Sequence, residues 1–221
     1  MTGTLACRPM ADEPGDATPF LPERRSLKAL REAAAECRGC HLWRPATQTV
    51  FGGGSPRSRL MFVGEQPGDR EDLEGHPFVG PAGRELDHAL EKAGIDRKDA
   101  YVTNVVKHFK FEERGRRRIH QTPKRFEIVA CEPWLDAELD AVRPEGLVLL
   151  GAIAGKALLG SSFRVTQHRG ELLDSELAPI VSATIHPSAI LRAPDDAARK
   201  EQRRTFVEDL KVVARAVAKR G

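Results

Sequence analysis

Long apolar runs are missing from this 221-residue chain. None reaches the length that crosses a bilayer, so a membrane-spanning protein is not expected. The N-terminus has no basic region leading into an apolar stretch, so no signal peptide is expected and a cytoplasmic location is. Cysteine is scarce, at four residues: Cys7, Cys37, Cys40 and Cys131. In that compartment such a set suits metal or redox chemistry better than a disulfide framework. A dominant charge is missing too, since the formal net charge is only +3. What is present, 40% hydrophobic and 30% charged residues, fits a globular chain long enough to bury one full core.

The charge is unevenly spread. Between positions 107 and 125 stand Lys107, Lys110, Arg114, Arg116, Arg117, Arg118, Lys124 and Arg125, against only Glu112 and Glu113. Such a run is either a solvated loop or a surface for phosphates. It joins two structured segments, which favours a polyanion partner.

Residues 1–24 carry Pro9, Pro14, Pro19 and Pro22 among glycines and acids, and are expected to form a disordered tail. Residues 25–221 are expected to form a single domain. Leu27, Leu30 and Ala34 mark a helix over Ser26–Glu36. Leu60–Val63, Tyr101–Val106, Gly146–Leu150 and Ile180–Ile185 read as buried strands. Pro81–Ala93, with Gly94 as its stop, reads as a helix. So do Ala152–Leu159 and Asp195–Lys219. Lys124–Leu139 reads as a helix that Pro133 kinks or splits. Apolar strands alternating with helices predict a three-layer α/β/α fold around a four-stranded parallel sheet. Gly64–Asp69, Asn104, Gly151 and His186 all fall where a strand ends. That edge is where open α/β sheets bind ligands.

Three segments stand out: Gly64-Glu65-Gln66-Pro67-Gly68-Asp69, Arg116-Arg117-Arg118-Ile119-His120, and His186-Pro187-Ser188-Ala189-Ile190-Leu191-Arg192. Together they resemble the uracil-DNA glycosylase superfamily, and more narrowly its UdgX branch, over roughly Ser26 to Lys219. The resemblance implies a uracil-DNA glycosylase acting on uracil-containing DNA, with single strands preferred, and a monomer.

Cys37-Arg38-Gly39-Cys40 has the spacing of two ligands, with Cys131 as the natural third. Family-4 members of the superfamily carry a four-iron cluster on four cysteines. Where their third cysteine falls, this chain has His108, as UdgX-type sequences do. The resemblance therefore implies a 4Fe-4S cluster on Cys37, Cys40, His108 and Cys131. Zinc on the same residues is the alternative.

An excising enzyme must read a base outside its stack. By resemblance Phe78 stacks on uracil, Asn104 meets O4 and N3–H, and backbone groups from Gln66 through Gly68 to Asp69 hold O2. Taken singly, these residues suit core packing and tight turns equally well. His186 assists the departing base, while Ser188, Arg192 and the arginines Arg116, Arg117 and Arg118 contact DNA.

Gln66 replaces the alanine usual in family 4, and a basic insertion runs from about Phe109 to Gln121. Both features are UdgX-like. They imply that His120 attacks the deoxyribose C1′, that Glu65 takes its proton, and that the protein stays covalently attached after one turnover. Two alternatives stay open. One is a hydrolytic, multiple-turnover glycosylase in which Glu65 or Asp69 positions water. The other is a non-catalytic protein that binds uracil-DNA.

Overall fold

The computed structural model describes residues 15–220. Cys7 and most of the expected tail lie outside the described residues. Chain order gives α1 (Leu27–Ala34), β1 (Leu60–Gly64), α2 (Asp69–Glu74), α3 (Pro81–Ala93) and β2 (Ala100–Asn104). Next come β3 (Phe111–Arg114), β4 (Arg117–His120), α4 (Arg125–Val142), β5 (Gly146–Leu150) and α5 (Ala152–Leu159). The chain closes with α6 (Val165–His168), β6 (Leu172–Leu173), β7 (Ile180–Thr184), α7 (Pro187–Leu191) and α8 (Asp196–Ala218).

Four strands pair in parallel in the order β2-β1-β5-β7, as the apolar runs predict. The two-residue β6 adds an antiparallel edge. Strand alternation sorts the side chains between two cores. Met61, Val63, Tyr101, Leu147 and Leu149 face α1, α4 and α5, where Leu30, Trp134 and Ala154 are buried. Leu60, Phe62, Val102, Val148 and Leu150 face α3 and α8, where Leu86, Leu90, Phe206 and Leu210 are buried. Both sheet faces are covered, which makes the three layers.

The ends of α3 follow from local chemistry. Pro81 supplies the fixed φ of a first helical turn, and Gly94 closes the helix at φ +73°.

Four expectations need correction. Residues 15–24 are not a free tail: Ala17 is buried, its N–H donates to the Ala130 carbonyl at 2.9 Å, and Phe20 and Leu21 pack on the α1–α4 core. The apolar side chains of this segment offset the cost of ordering it. Pro133 neither splits nor ends α4, which runs unbroken to Val142. The basic insertion is no loop, for β3 and β4 form an antiparallel hairpin turning at Gly115, φ +62°. Glycine at the first central position of a two-residue turn suits the twist of a hairpin. Helices α2 and α7 were not expected, being too short to show a period. Among the described residues no helix is long and apolar enough to cross a membrane.

Candidate functional site

A cavity of about 690 Å³ opens at the carboxyl edge of the sheet. Loops following β1, β2, β5 and β7 form it, and the β3–β4 hairpin adds a wall. Its lining includes Glu65, Gln66, Gly68, Phe78, Asn104, His120, His186, Ser188 and Arg192. Most of the sequence-predicted residues therefore meet in one place.

Close backbone approach shapes the floor. A Cβ on Gly64 would stand 2.4 Å from Asn104 Oδ1 and 2.8 Å from Phe78 Cζ. Only glycine there lets the amide and the aromatic ring face one space. Phe78 adopts φ +58°, a left-handed conformation that is strained for a bulky residue. It is held from outside: Gly80 N–H donates to Glu71 Oε1 at 3.0 Å, and Gly83 leaves room for the Phe78 carbonyl. Glu71 also lines the cavity, and no motif marks it, since its partner Gly80 comes from a loop. Asn104 is buried, and among the described residues nothing hydrogen-bonds its side-chain amide. Both of its functional groups remain available to a ligand.

The hairpin delivers His120. Phe111 pairs with His120 and Glu113 with Arg118, so Phe111, Glu113, Arg118 and His120 share one face. Arg117 and Ile119 lie on the other. Arg118 donates to Asp69 Oδ1 at 2.6 Å, to Asp72 Oδ2 at 2.6 Å and to Thr47 Oγ1 at 3.1 Å. Its guanidinium also lies over Phe111, 5.0 Å from the ring centroid. Gln66 grips the hairpin's base. Its Nε2 donates to the carbonyls of Lys110 and Gln121 at 3.1 and 3.0 Å, and its Oε1 accepts the Lys110 N–H at 3.1 Å.

Several expected roles change accordingly. Arg118 is occupied by two carboxylates and is not a free DNA contact. Asp69 Oδ1 is its ion-pair partner, which leaves the backbone role expected of Asp69 untouched. The Gln66 side chain anchors the hairpin. Ser188 hydrogen-bonds His186, with its hydroxyl 2.8 Å from Nδ1. Lys107, counted in the basic patch, is fully buried against Glu138. Arg116, Arg117 and Arg192 are exposed, as phosphate contacts require.

The electrostatics are dominated by burial. His120 Nε2 lies 3.7 Å from Glu65 Oε1, a buried oxygen with no hydrogen-bond partner among the described residues. Burial pushes Glu65 up to about 7, with Arg192 acting against it. Burial first, then Arg192, holds His120 below the usual histidine range. Burial, Arg192 and His120 bring His186 down to about 4. His186 is therefore neutral near pH 7. The Ser188 N–H donates to its Nδ1 at 3.2 Å, so the ring proton sits on Nε2.

The three cysteines gather where α1, its following loop and α4 meet. They act on one another's ionisation, and burial raises Cys40 to about 11 and Cys131 to about 12. Trp134 Nε1–H donates to Cys37 Sγ at 3.2 Å and Lys107 N–H to Cys131 Sγ at 3.3 Å. Such bonds stabilise the thiolates of a cluster. His108 is buried, its Nε2 2.9 Å from Thr49 Oγ1, and its Nδ1 has no hydrogen bond among the described residues. A ligating imidazole is commonly oriented through its other nitrogen in this way. Among the described residues no three His, Cys, Asp or Glu side chains converge as a single ion requires. A zinc ion needs all its sulfurs at about 2.3 Å. A 4Fe-4S cluster takes each ligand on a separate iron, and thiols with an imidazole are donors that such a cluster accepts.

Comparison with known proteins matches residues 51–211 to the family model of the uracil DNA glycosylase superfamily. The type-4 uracil-DNA glycosylase of Sulfurisphaera tokodaii is 37% identical over 178 residues, 77% of this chain and 78% of the relative. That of Thermotoga maritima is 35% identical over 196 residues, 88% of this chain and 96% of the relative. That of Pyrobaculum aerophilum is 35% identical over 175 residues, covering 76% and 86%.

The anchoring of the hairpin is testable. Arg118→Ala strands the buried Asp72 carboxylate, so it should cost about 2–4 kcal/mol in urea unfolding. Trypsin should also cut native protein at Arg116 and Arg117 at least about tenfold faster, since a two-stranded ribbon is marginal alone. Unchanged cleavage would mean that the hairpin stands without Arg118.

Proposed function

The chain belongs to the uracil-DNA glycosylase superfamily, and we propose that it excises uracil from DNA and retains the deoxyribose on His120. The observation that carries this reading is one pair: the His120 imidazole and the unpartnered Glu65 carboxylate, 3.7 Å apart on the cavity that also holds Phe78 and Asn104.

The flipped base stacks on Phe78, and the Asn104 amide donates to O4 and accepts from N3–H. The C1′–N1 bond breaks with its electron pair leaving on uracil. The Nε2–H of neutral His186 hydrogen-bonds the anion that forms. A full proton is not needed, because the charge is met where it develops. The sugar cation is then captured by the lone pair of His120, and the proton on the other ring nitrogen passes to Glu65. The adduct is a neutral N-alkyl imidazole, a poor leaving group, so turnover stops. Arg192 at the cavity rim and Arg116 and Arg117 at the hairpin tip hold phosphates of a single strand. The protein works as a monomer.

The cysteine site holds a 4Fe-4S cluster through Cys37, Cys40 and Cys131, with His108 as the fourth ligand. Bound there, it would cross-link the loop after α1 to α4, and the excision steps above use only the side chains of the cavity.

The decisive test mixes protein with a single-stranded uracil oligonucleotide. A band resistant to heat and detergent should form, and uracil should appear about one-to-one with protein before release stops. His120→Ser should remove the band yet release uracil continuously, because water reaches the same cation. Wild type that turns over repeatedly without a band makes the chain a hydrolytic glycosylase, with Glu65 placing water. No release at all makes it a binding protein.

Adduct formation should also depend on pH in a stated direction. Glu65 accepts a proton only when ionised, and burial has moved its pKa up to about 7. His120 attacks only when neutral, and its pKa lies below the usual value. The rate should therefore rise with pH through about 7 and then level off. In Glu65→Gln that rise should vanish. A rate that falls across the same range would remove Glu65 as the proton acceptor.

For the metal, purified protein should be brown, and Cys131→Ala should lose both the colour and its resistance to unfolding. Colourless protein with stoichiometric zinc from an anaerobic preparation excludes the cluster.

A further inference from the structure

Beneath the base pocket lies an ion pair that the excision chemistry does not use. Lys107 and Glu138 are both fully buried. The Lys107 ammonium donates to Glu138 Oε2 at 2.5 Å, to Thr103 Oγ1 at 2.8 Å and to the carbonyl of Asn104 at 2.6 Å. Three donors meet three acceptors, the full complement of an ammonium. Glu138 is satisfied in turn. Its Oε1 accepts from Tyr101 Oη at 2.8 Å and from the Gly52 N–H at 2.9 Å, and the Thr103 hydroxyl donates to Oε2 at 2.8 Å.

Stability alone does not account for this arrangement. Apolar side chains of similar volume fill such a space as well or better, since they avoid desolvating two charges. What they cannot do is hold a carbonyl. Asn104 closes the β1–β2 register opposite Gly64. Beyond that pair the chain turns, through Val105 N–H to the Gly64 carbonyl and Val106 N–H to the Glu65 carbonyl. The Asn104 carbonyl is left to Lys107. The peptide after Asn104 is thus held on both sides, by the Val105 N–H on Gly64 and by its carbonyl on Lys107, and together they set the Cα–Cβ direction of Asn104. Tolerance is small, because the amide already sits against Gly64, where a Cβ would come within 2.4 Å of Oδ1.

We propose that Lys107, held by Glu138 and Thr103, is a positioning residue that aims the Asn104 amide at the base. This rests on the reading of Asn104 as the group that recognises uracil.

The test uses variants that strand no charge. Thr103→Val keeps the shape and removes the hydroxyl, and Thr103→Ser restores it. Lys107→Met combined with Glu138→Gln removes both charges together. Asn104→Ala is measured beside them. Three quantities are read: single-turnover excision at saturating uracil oligonucleotide, inhibition by free uracil, and affinity for the same oligonucleotide without uracil. A misplacement of about 1 Å costs about 100-fold in rate. On that scale the double variant should lose about 100-fold in excision and Thr103→Val about tenfold. Inhibition by free uracil should weaken in step, while affinity for uracil-free DNA stays within about twofold, because phosphate contacts set it. Thr103→Ser should recover excision.

Folded variants with wild-type excision and wild-type uracil inhibition, beside an inactive Asn104→Ala, overturn the proposal and leave the pocket reading intact. Loss of uracil-free DNA affinity in parallel with excision also overturns it, since the network then serves only the fold. Wild-type excision by Asn104→Ala overturns the pocket reading itself. Should the double variant fail to fold, the valine and serine variants decide alone.

Discussion

One guanidinium separates a walled pocket from an open cleft. A hairpin of two four-residue strands has too little buried surface to persist in water by itself. Arg118 joins it to α2 through Asp69 and the buried Asp72, and stacks on the hairpin's own Phe111. Asp72 is committed on its other side as well, since both of its oxygens accept the Thr47 N–H. Gln66 adds three hydrogen bonds at the hairpin base. The wall carrying His120 is thus fastened to the loop after β1 and to α2 at several points. The basic residues that suggest a mobile DNA-binding loop include the one that immobilises it.

The same wall governs the electrostatics. The hairpin closes one side of the cavity beside Glu65 and His186, while the His120 side chain itself stays 47% exposed. Desolvation is the leading cause of the shift at all three. It penalises charge, so it favours a neutral carboxyl and neutral imidazoles. Arg192 adds a positive charge nearby. It favours the Glu65 anion and disfavours a proton on either histidine. Near neutrality these effects leave the imidazoles neutral and Glu65 divided between acid and anion, so the proton acceptor forms as pH rises through about 7.

Much of this was legible in the chain and some was not, for physical reasons. The four parallel strands are buried at every position and therefore mainly apolar, and such runs are plain in sequence. Helix α3 announces itself with Pro81 and Gly94. The convergence of Glu65, Asn104 and His186 followed from each standing at a strand end, whereas Phe78 reaches the same place from the turn before α3. Partnership was not legible. Arg118, Lys107 and Arg116 look alike in sequence, yet they are a bolt, a buried strut and a free surface charge. The pairing of Ser188 with His186 and of the Asp69 side chain with Arg118 could not be seen in sequence. One clue was available in Arg118-Ile119-His120, whose alternate residues share a face if the segment is a strand. Its charge density argued against a strand, and Phe109 and Phe111 beneath it tipped the balance.

The cysteine site and the hairpin share one short segment of chain. Thr49 holds the His108 ring, and Thr47, two residues earlier, is held by Asp72 and Arg118. Order at either place restricts the other, because a segment this short cannot move at one end and stay fixed at the other. A rigid site of this kind suits the proposed chemistry. A glycosylase that turns over must release an abasic strand, so a wall fastened at several points works against it. A protein that keeps its sugar never has to open. It needs only a nucleophile already in place when the cation forms, and fixed geometry is what makes an imidazole faster than water. The fastening of the hairpin and the capture by His120 are in that sense one design.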